Sequence, residues 1–237
     1  MKEKVQSKKK KSKEKKIAEL NQQMIKAGEC CYLAKTRTNI VPGEGSAGAR
    51  IMFIGEGPGQ KEDEQGRPFI GQAGQLLSEL LQTINLARKD VFIANVLKCR
   101  PPNNRDPLPD EVKACWPWLQ KQIEIINPLL IIPLGRHAME RFLPDMKISA
   151  VRGKILRRNV PGMGTRVFMP TYHPAAALYH RDWLGFLQQD FRKIPKVLEH
   201  LESNNEPANS AEDKNNLEWD SLEIGVGKDK KEQGRLL

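Results

Sequence analysis

A three-layer α/β/α fold around a central four-stranded parallel sheet is predicted by three observations. Short apolar runs alternate with amphipathic helical patterns through the middle of the chain. Those runs are apolar at successive positions and too short for helices, as strands buried on both faces are. The irregular segments bearing glycine, asparagine or His-Pro come directly after the strands. Such alternation implies parallel strands joined by helices that cover both faces of one sheet.

The elements follow in order. Residues 1–16 hold nine lysines and two glutamates with almost nothing apolar, so a disordered basic arm with an affinity for polyanions is expected. Residues 17–27 read as an amphipathic helix, 51–54 as the first strand, 73–86 as a helix and 91–94 as the second strand. A Pro/Asn/Arg loop leads to a helix over 110–126, a strand at 129–134, a short helix over 136–142 and a strand at 167–169. Residues 151–164 read as a side excursion, a short hairpin. A last helix over 183–201 contains Pro195, which is expected to kink it. Residues 202–237 form a polar, acidic tail that is expected to be disordered, with Leu217, Trp219, Leu222 and Ile224 as a weak docking motif. One domain over 17–201 results, since 237 residues at 39% hydrophobic composition supply one substantial core.

Composition bounds the partners. The formal net charge of +10 points to an anion, and nucleic acid is the commonest large one. No run of 18 apolar residues is present, so no membrane partner is expected. The N-terminus has no apolar secretory core, which makes the cytoplasm the expected location.

The candidate site begins where the first strand ends, at Gly55-Glu56-Gly57-Pro58-Gly59. Glycines there let backbone approach a ligand closely. Glu56, Glu62, Asp63 and Glu64 make the segment acidic, and the Gly-Lys-Ser/Thr ending of a phosphate-cradling loop is missing, so an uncharged ligand is expected. Phe69, between Pro68 and Gly71, is either a core residue or one wall of a pocket. Asn95 ends the second strand and His173-Pro174 follows the fourth. Ligands bind beyond the carboxyl ends of open parallel sheets, so these residues should share one pocket.

Cysteine supplies a second constellation. Cys30 and Cys31 close the first helix, while Cys99 and Cys115 flank a loop rich in proline and arginine. In a cytoplasmic chain, four cysteines indicate a metal or iron-sulfur site or unlinked buried thiols rather than structural disulfides. Their spacing does not choose between zinc and iron.

Taken together, Gly-Glu-Gly-Pro-Gly, Glu62-Asp63, Pro68-Phe69-Ile70-Gly71, Ala73-Gly74, the stretch Asn95-Val96-Leu97-Lys98-Cys99-Arg100-Pro101-Pro102-Asn103-Asn104-Arg105 and His173-Pro174 resemble the family 4, iron-sulfur uracil-DNA glycosylases. The likeness runs from about residue 31 to 192 and includes residues 36–45. It implies a monofunctional hydrolase of base excision repair, acting as a monomer on uracil in single- or double-stranded DNA. By the same likeness Phe69 stacks on the flipped base and Asn95 reads its N3-H/O4 edge. His173 stabilises the charge that develops on O2. Glu56 and Gly57 lie against the attacking water, and Glu62 crowds C5 against thymine's methyl. Leu178 wedges into the duplex, and Arg181, Arg100 and Arg105 meet phosphates.

The resemblance also implies a 4Fe-4S cluster on Cys30, Cys31, Cys99 and Cys115. Here the sequence departs from the family's Cys-x-x-Cys-Pro-Leu: Gly28 stands at the first cysteine and Tyr32 at the proline, leaving Cys30 as the substitute. The alternative is a module of the same fold that binds DNA without turnover. A covalent trap for abasic sugars is disfavoured, because no histidine-bearing insertion follows Cys99.

Overall fold

A computed structural model describes residues 2–28 and 31–203. The sheet has six strands rather than four, in the order β1-β3-β2-β4-β6-β5. They are β1 (Glu44–Gly45), β2 (Ile51–Gly55), β3 (Phe92–Asn95), β4 (Leu130–Pro133), β5 (Leu156–Val160) and β6 (Gly164–Phe168). The predicted parallel strands are its centre: β3, β2, β4 and β6 pair in parallel. Antiparallel β1 and β5 close the two edges.

Side chains alternate across β2 into two cores. Met52 and Ile54 join Phe92, Ala94, Ile131 and Phe168 under helix α4 (Pro109–Ile126), with Leu119 and Ile123 as its contribution. Ile51 and Phe53 face the other way, against Leu77 and Leu81 of α3 (Gln72–Gln82) and Leu187 and Phe191 of α8 (Arg181–Ser203). The Phe53 and Phe191 rings stack at 5.6 Å. This two-sided burial is why the strands read as continuous apolar runs.

Two expectations are corrected here. The hairpin read at 151–164 is present, but it is part of the sheet rather than a side excursion: β5 turns tightly into β6 and pairs antiparallel with it from Leu156↔Phe168 to Val160↔Gly164. Positive φ at Gly162 and Gly164 makes that tight reversal possible. The lysine-rich residues read as a disordered arm continue helix α1 (Lys2–Ala27). Lysine and glutamate are good helix formers, and nothing between the arm and Ile17 breaks the helix. Ile17, Leu20 and Met24 bury one face of α1, and Lys13 Nζ donates to the Ile126 carbonyl at the C-terminus of α4 at 2.7 Å. Helix α8 includes Pro195 without interruption. Residues 204–237, with the docking motif read there, lie outside the described residues. Among the described residues, no helix is long and apolar enough to cross a membrane.

Candidate active site

The carboxyl ends of the parallel strands meet at a cleft of about 320 Å³, lined by Glu56, Gly57, Glu62, Phe69, Asn95 and His173 with Asn104, Arg105 and Ala175 among others. Convergence follows from register, since Gly55 pairs directly with Asn95. Beyond the strands the two loops stay joined: Val96 donates to the Gly55 carbonyl and Leu97 to that of Glu56, each at 2.9 Å. On the far side, Thr171 accepts from the Gly135 N–H at 2.8 Å, and its hydroxyl donates to buried Asp190 of α8 at 2.8 Å. His173 is thereby carried to the same edge.

Asn95 is 1% exposed, and neither its amide oxygen nor its amide nitrogen has a hydrogen-bond partner in the protein. A buried amide without partners costs stability, so its natural complement is a ligand with one donor and one acceptor. Its main chain is held from behind, where Lys98 Nζ donates to the Asn95 carbonyl at 2.9 Å and to Gln122 Oε1 at 2.7 Å. Burial pulls this ammonium down to about 7, while Cys115 and Cys99 oppose the shift.

Phe69 is both things that its sequence position allowed. It is 6% exposed and belongs to the core, and its ring also forms a wall of the cleft, 5.5 Å from the His173 ring. Its φ of 52° is uncommon for a bulky residue. Gly74 accommodates that turn, since a Cβ there would fall 1.7 Å from the Phe69 carbonyl oxygen. At Gly55 a Cβ would fall 2.5 Å from both Phe69 Cζ and Asn95 Oδ1. Gly55→Ala should therefore cost about 1–3 kcal/mol by overpacking, read as a lower melting temperature, and should displace both walls of the cleft.

Glu62 faces the cleft with its carboxylate already committed: Oε1 accepts from the Ile70 and Gly71 N–H groups, each at 2.8 Å. His173 caps α7 (Pro174–Tyr179) through Nδ1, which accepts from the Ala175 N–H at 3.1 Å. The neutral ring therefore carries its proton on Nε2. Burial lowers the imidazole to about 4, opposed by the charge of Glu62, so the neutral form prevails at physiological pH.

Glu56 has neighbours that the sequence did not single out. Burial raises its carboxyl above the ordinary range; His137 and Arg136 oppose that, while Asp106 adds to it. His137 Nε2 lies 4.0 Å from Glu56 and 3.4 Å from Asp106. The only signal for His137 is its place two residues after Gly135, at the end of β4.

The residues expected to touch DNA lie less uniformly. Leu178 is 44% exposed, and its neighbour Tyr179 is 85% exposed, at the end of α7. Arg100 Nε donates to Asn104 at 2.8 Å on the surface. Arg105 lines the cleft, but its guanidinium is paired with Glu111 in the first turn of α4. Arg181 begins α8.

Cys99 and Cys115 are fully buried, and Cys31 packs against the same core. Their sulfurs receive donors suited to thiolates: Lys98 N–H to Cys115 at 3.4 Å and Arg37 Nη1 to Cys99 at 3.3 Å. Arg37 also donates to the Gly28 carbonyl at 2.6 Å. Cys30 lies outside the described residues. This donor set fits a thiolate-bound group, as soft, buried, hydrogen-bonded sulfur does.

The family profile "Uracil DNA glycosylase superfamily" matches residues 42–201. The type-4 uracil-DNA glycosylase of Saccharolobus solfataricus is 52% identical over 174 residues, covering 71% of this chain and 80% of that protein. That of Archaeoglobus fulgidus is 48% identical over 172 residues, 70% of this chain and 86% of its own. That of Thermotoga maritima is 44% identical over 186 residues, 78% of this chain and 92% of its own. With the cleft, its unpartnered amide and the capped histidine in the order these matches span, the chain belongs to the uracil DNA glycosylase superfamily, in its type-4 branch.

Proposed function

We propose that this protein hydrolyses the N-glycosidic bond of deoxyuridine in DNA, releasing uracil and leaving an abasic site for base excision repair. The observation that carries the reading is Asn95, a buried amide with both polar ends open to a cleft between an aromatic ring and a histidine. Uracil complements it: its N3-H donates to Asn95 Oδ1, and its O4 accepts from Nδ2. Cytosine presents an acceptor and a donor at those positions, so the same amide rejects it.

The base reaches the cleft only when the nucleotide is flipped out, which costs a few kcal/mol and less when uracil is mispaired. Phe69 stacks on the extruded ring. Leu178, at the exposed end of α7, enters the space left behind, and Arg100 and Arg181 hold flanking phosphates. Cleavage of the C1′–N1 bond sends its electron pair to the base, where charge collects on O2. His173 donates Nε2–H to that oxygen, already in the correct tautomer. Water adds to C1′ beside Glu56 and Gly57 and loses a proton to solvent, while the uracil anion takes one up at N1, so that the products are the hydroxyl-bearing abasic sugar and neutral uracil. Glu62, fixed by two N–H groups, closes the cleft beside Phe69 against a C5 methyl group.

Cys31, Cys99 and Cys115, with Cys30, would hold a 4Fe-4S cluster, whose role there would be structural, since hydrolysis needs no electron transfer. Cys99→Ser should lose the visible absorbance of the cluster and lower stability by at least ~2 kcal/mol, about 4–8 °C in melting temperature for a domain of this size.

The protein acts as a monomer in the cytoplasm, on single- or double-stranded uracil-containing DNA. The test is release of free uracil, with an abasic site left behind, from an oligonucleotide containing one uracil. Absence of release from folded, cluster-loaded protein would leave a DNA-binding module without turnover.

A further inference from the structure

We propose that Arg88, braced by Glu44, is a positioning residue that clamps the Phe69 turn and so aims the ring at the extruded base. The inference rests on the reading that Phe69 stacks on that base. Arg88 opens the short 3-10 turn Arg88–Asp90 just before β3, and Asp90 fixes that turn by accepting from the Ala87 N–H at 2.9 Å. Its guanidinium spans two successive carbonyls: Nη1 donates to Phe69 O at 2.9 Å and Nη2 to Pro68 O at 2.7 Å. Nε donates to Glu44 Oε1 at 2.8 Å, and Nη2 pairs with the same carboxylate oxygen. The other oxygen, Oε2, accepts from Arg67 Nε at 2.9 Å. The Arg88 and Glu44 side chains are only 22% and 21% exposed.

One planar fork on two adjacent carbonyls fixes the two peptide planes that flank Phe69. Those planes define the left-handed turn at Phe69, whose φ is 52°. Released, a residue of this size returns to negative φ, which redirects its ring. Glu62 grips the far side of the same turn through Ile70 and Gly71, so the ring is carried on a segment held from both sides. Arg88 and Glu44 do not line the cleft, and the Arg88 guanidinium reaches its wall through the hydrogen bonds to the Phe69 turn. Lysine is a point donor and cannot reproduce a fork on two carbonyls.

A double-mutant cycle separates this role from general support of the fold. Uracil release is measured as kcat/KM for the native protein, Phe69→Ala, Arg88→Met and the double variant, each with its melting temperature. Arg88→Met is expected to lower kcat/KM by about 10–100-fold, as displacement of a positioned group by ~1 Å does. In the Phe69→Ala background the same change should alter it by no more than about twofold, because the ring it aims is gone. Arg88→Lys provides the folded comparison if the methionine variant does not fold. It should keep the pairing with Glu44 and a near-native melting temperature, yet show most of the loss and the same insensitivity in the Phe69→Ala background. Effects that multiply in the double variants would overturn the clamp while leaving the stacking role intact. Native kcat/KM in Phe69→Ala alone would overturn the stacking role itself, and the clamp with it.

Discussion

His173→Ala is expected to slow uracil release by about 10²–10³-fold, the loss seen when one preorganised donor to a developing oxyanion is removed. The fall should appear in kcat more than in KM, because the Nε2–H bond strengthens as charge moves onto O2. The pH dependence carries a separate signature. With its imidazole lowered to about 4 from an ordinary 6.5, His173 is neutral through the physiological range. Its contribution to the rate should stay flat from about pH 5 to 8 and decline only as pH falls toward 4. An acid limb near 6.5 that disappears in the alanine variant would contradict this assignment.

Stability follows with a defined sign. Between about 4 and 6.5 the unfolded imidazole binds a proton that the folded one does not. The stability contributed by the neutral ring is therefore complete above about 6.5 and is lost as pH falls through that window. Chemical denaturation of the native protein at pH 7 and pH 5 should show a decrease that His173→Ala reduces.

Asn95→Ala is expected to be equally damaging to activity and harmless to the fold. Losing two hydrogen bonds to the base should lower uracil release by about 10²–10³-fold, and it should erase most of the preference for uracil over cytosine, since the amide is what reads that edge. The same substitution removes a buried polar group that has no partner in the protein. Its melting temperature should accordingly be unchanged or higher, the pattern of a residue kept for function at some cost in stability. A marked fall in melting temperature would mean that the amide supports the fold instead.

Much of this site is legible in the order of the residues alone. Strands buried on both faces leave continuous apolar runs, and β2, β3 and β4 lie within one or two residues of the predicted positions. Because ligand sites gather at the carboxyl ends of such strands, the glycine loop, Asn95 and His173 are expected together, and the cleft groups them. The edge strands are not legible in this way. β1 is two residues long, and β5 carries arginines at two of its five positions, so neither shows the burial pattern of the centre. The lysine-rich start has no apolar periodicity from which to read a helix, yet the helix anchored by Ile17, Leu20 and Met24 continues through it.

Sequence by itself determined the layers of the fold and the identity of the groups at the sheet edge, because local burial is written in the periodicity of adjacent residues. Only the tertiary structure decided what each group meets. It left the Asn95 amide without a partner, brought His137 and Asp106 beside Glu56, committed Arg105 to Glu111, and set Arg88 against the Phe69 turn. These meetings join segments far apart in the chain, and they depend on how the layers pack. Hydrogen bonds form or fail over a few tenths of an ångström, a scale that no one-dimensional pattern records.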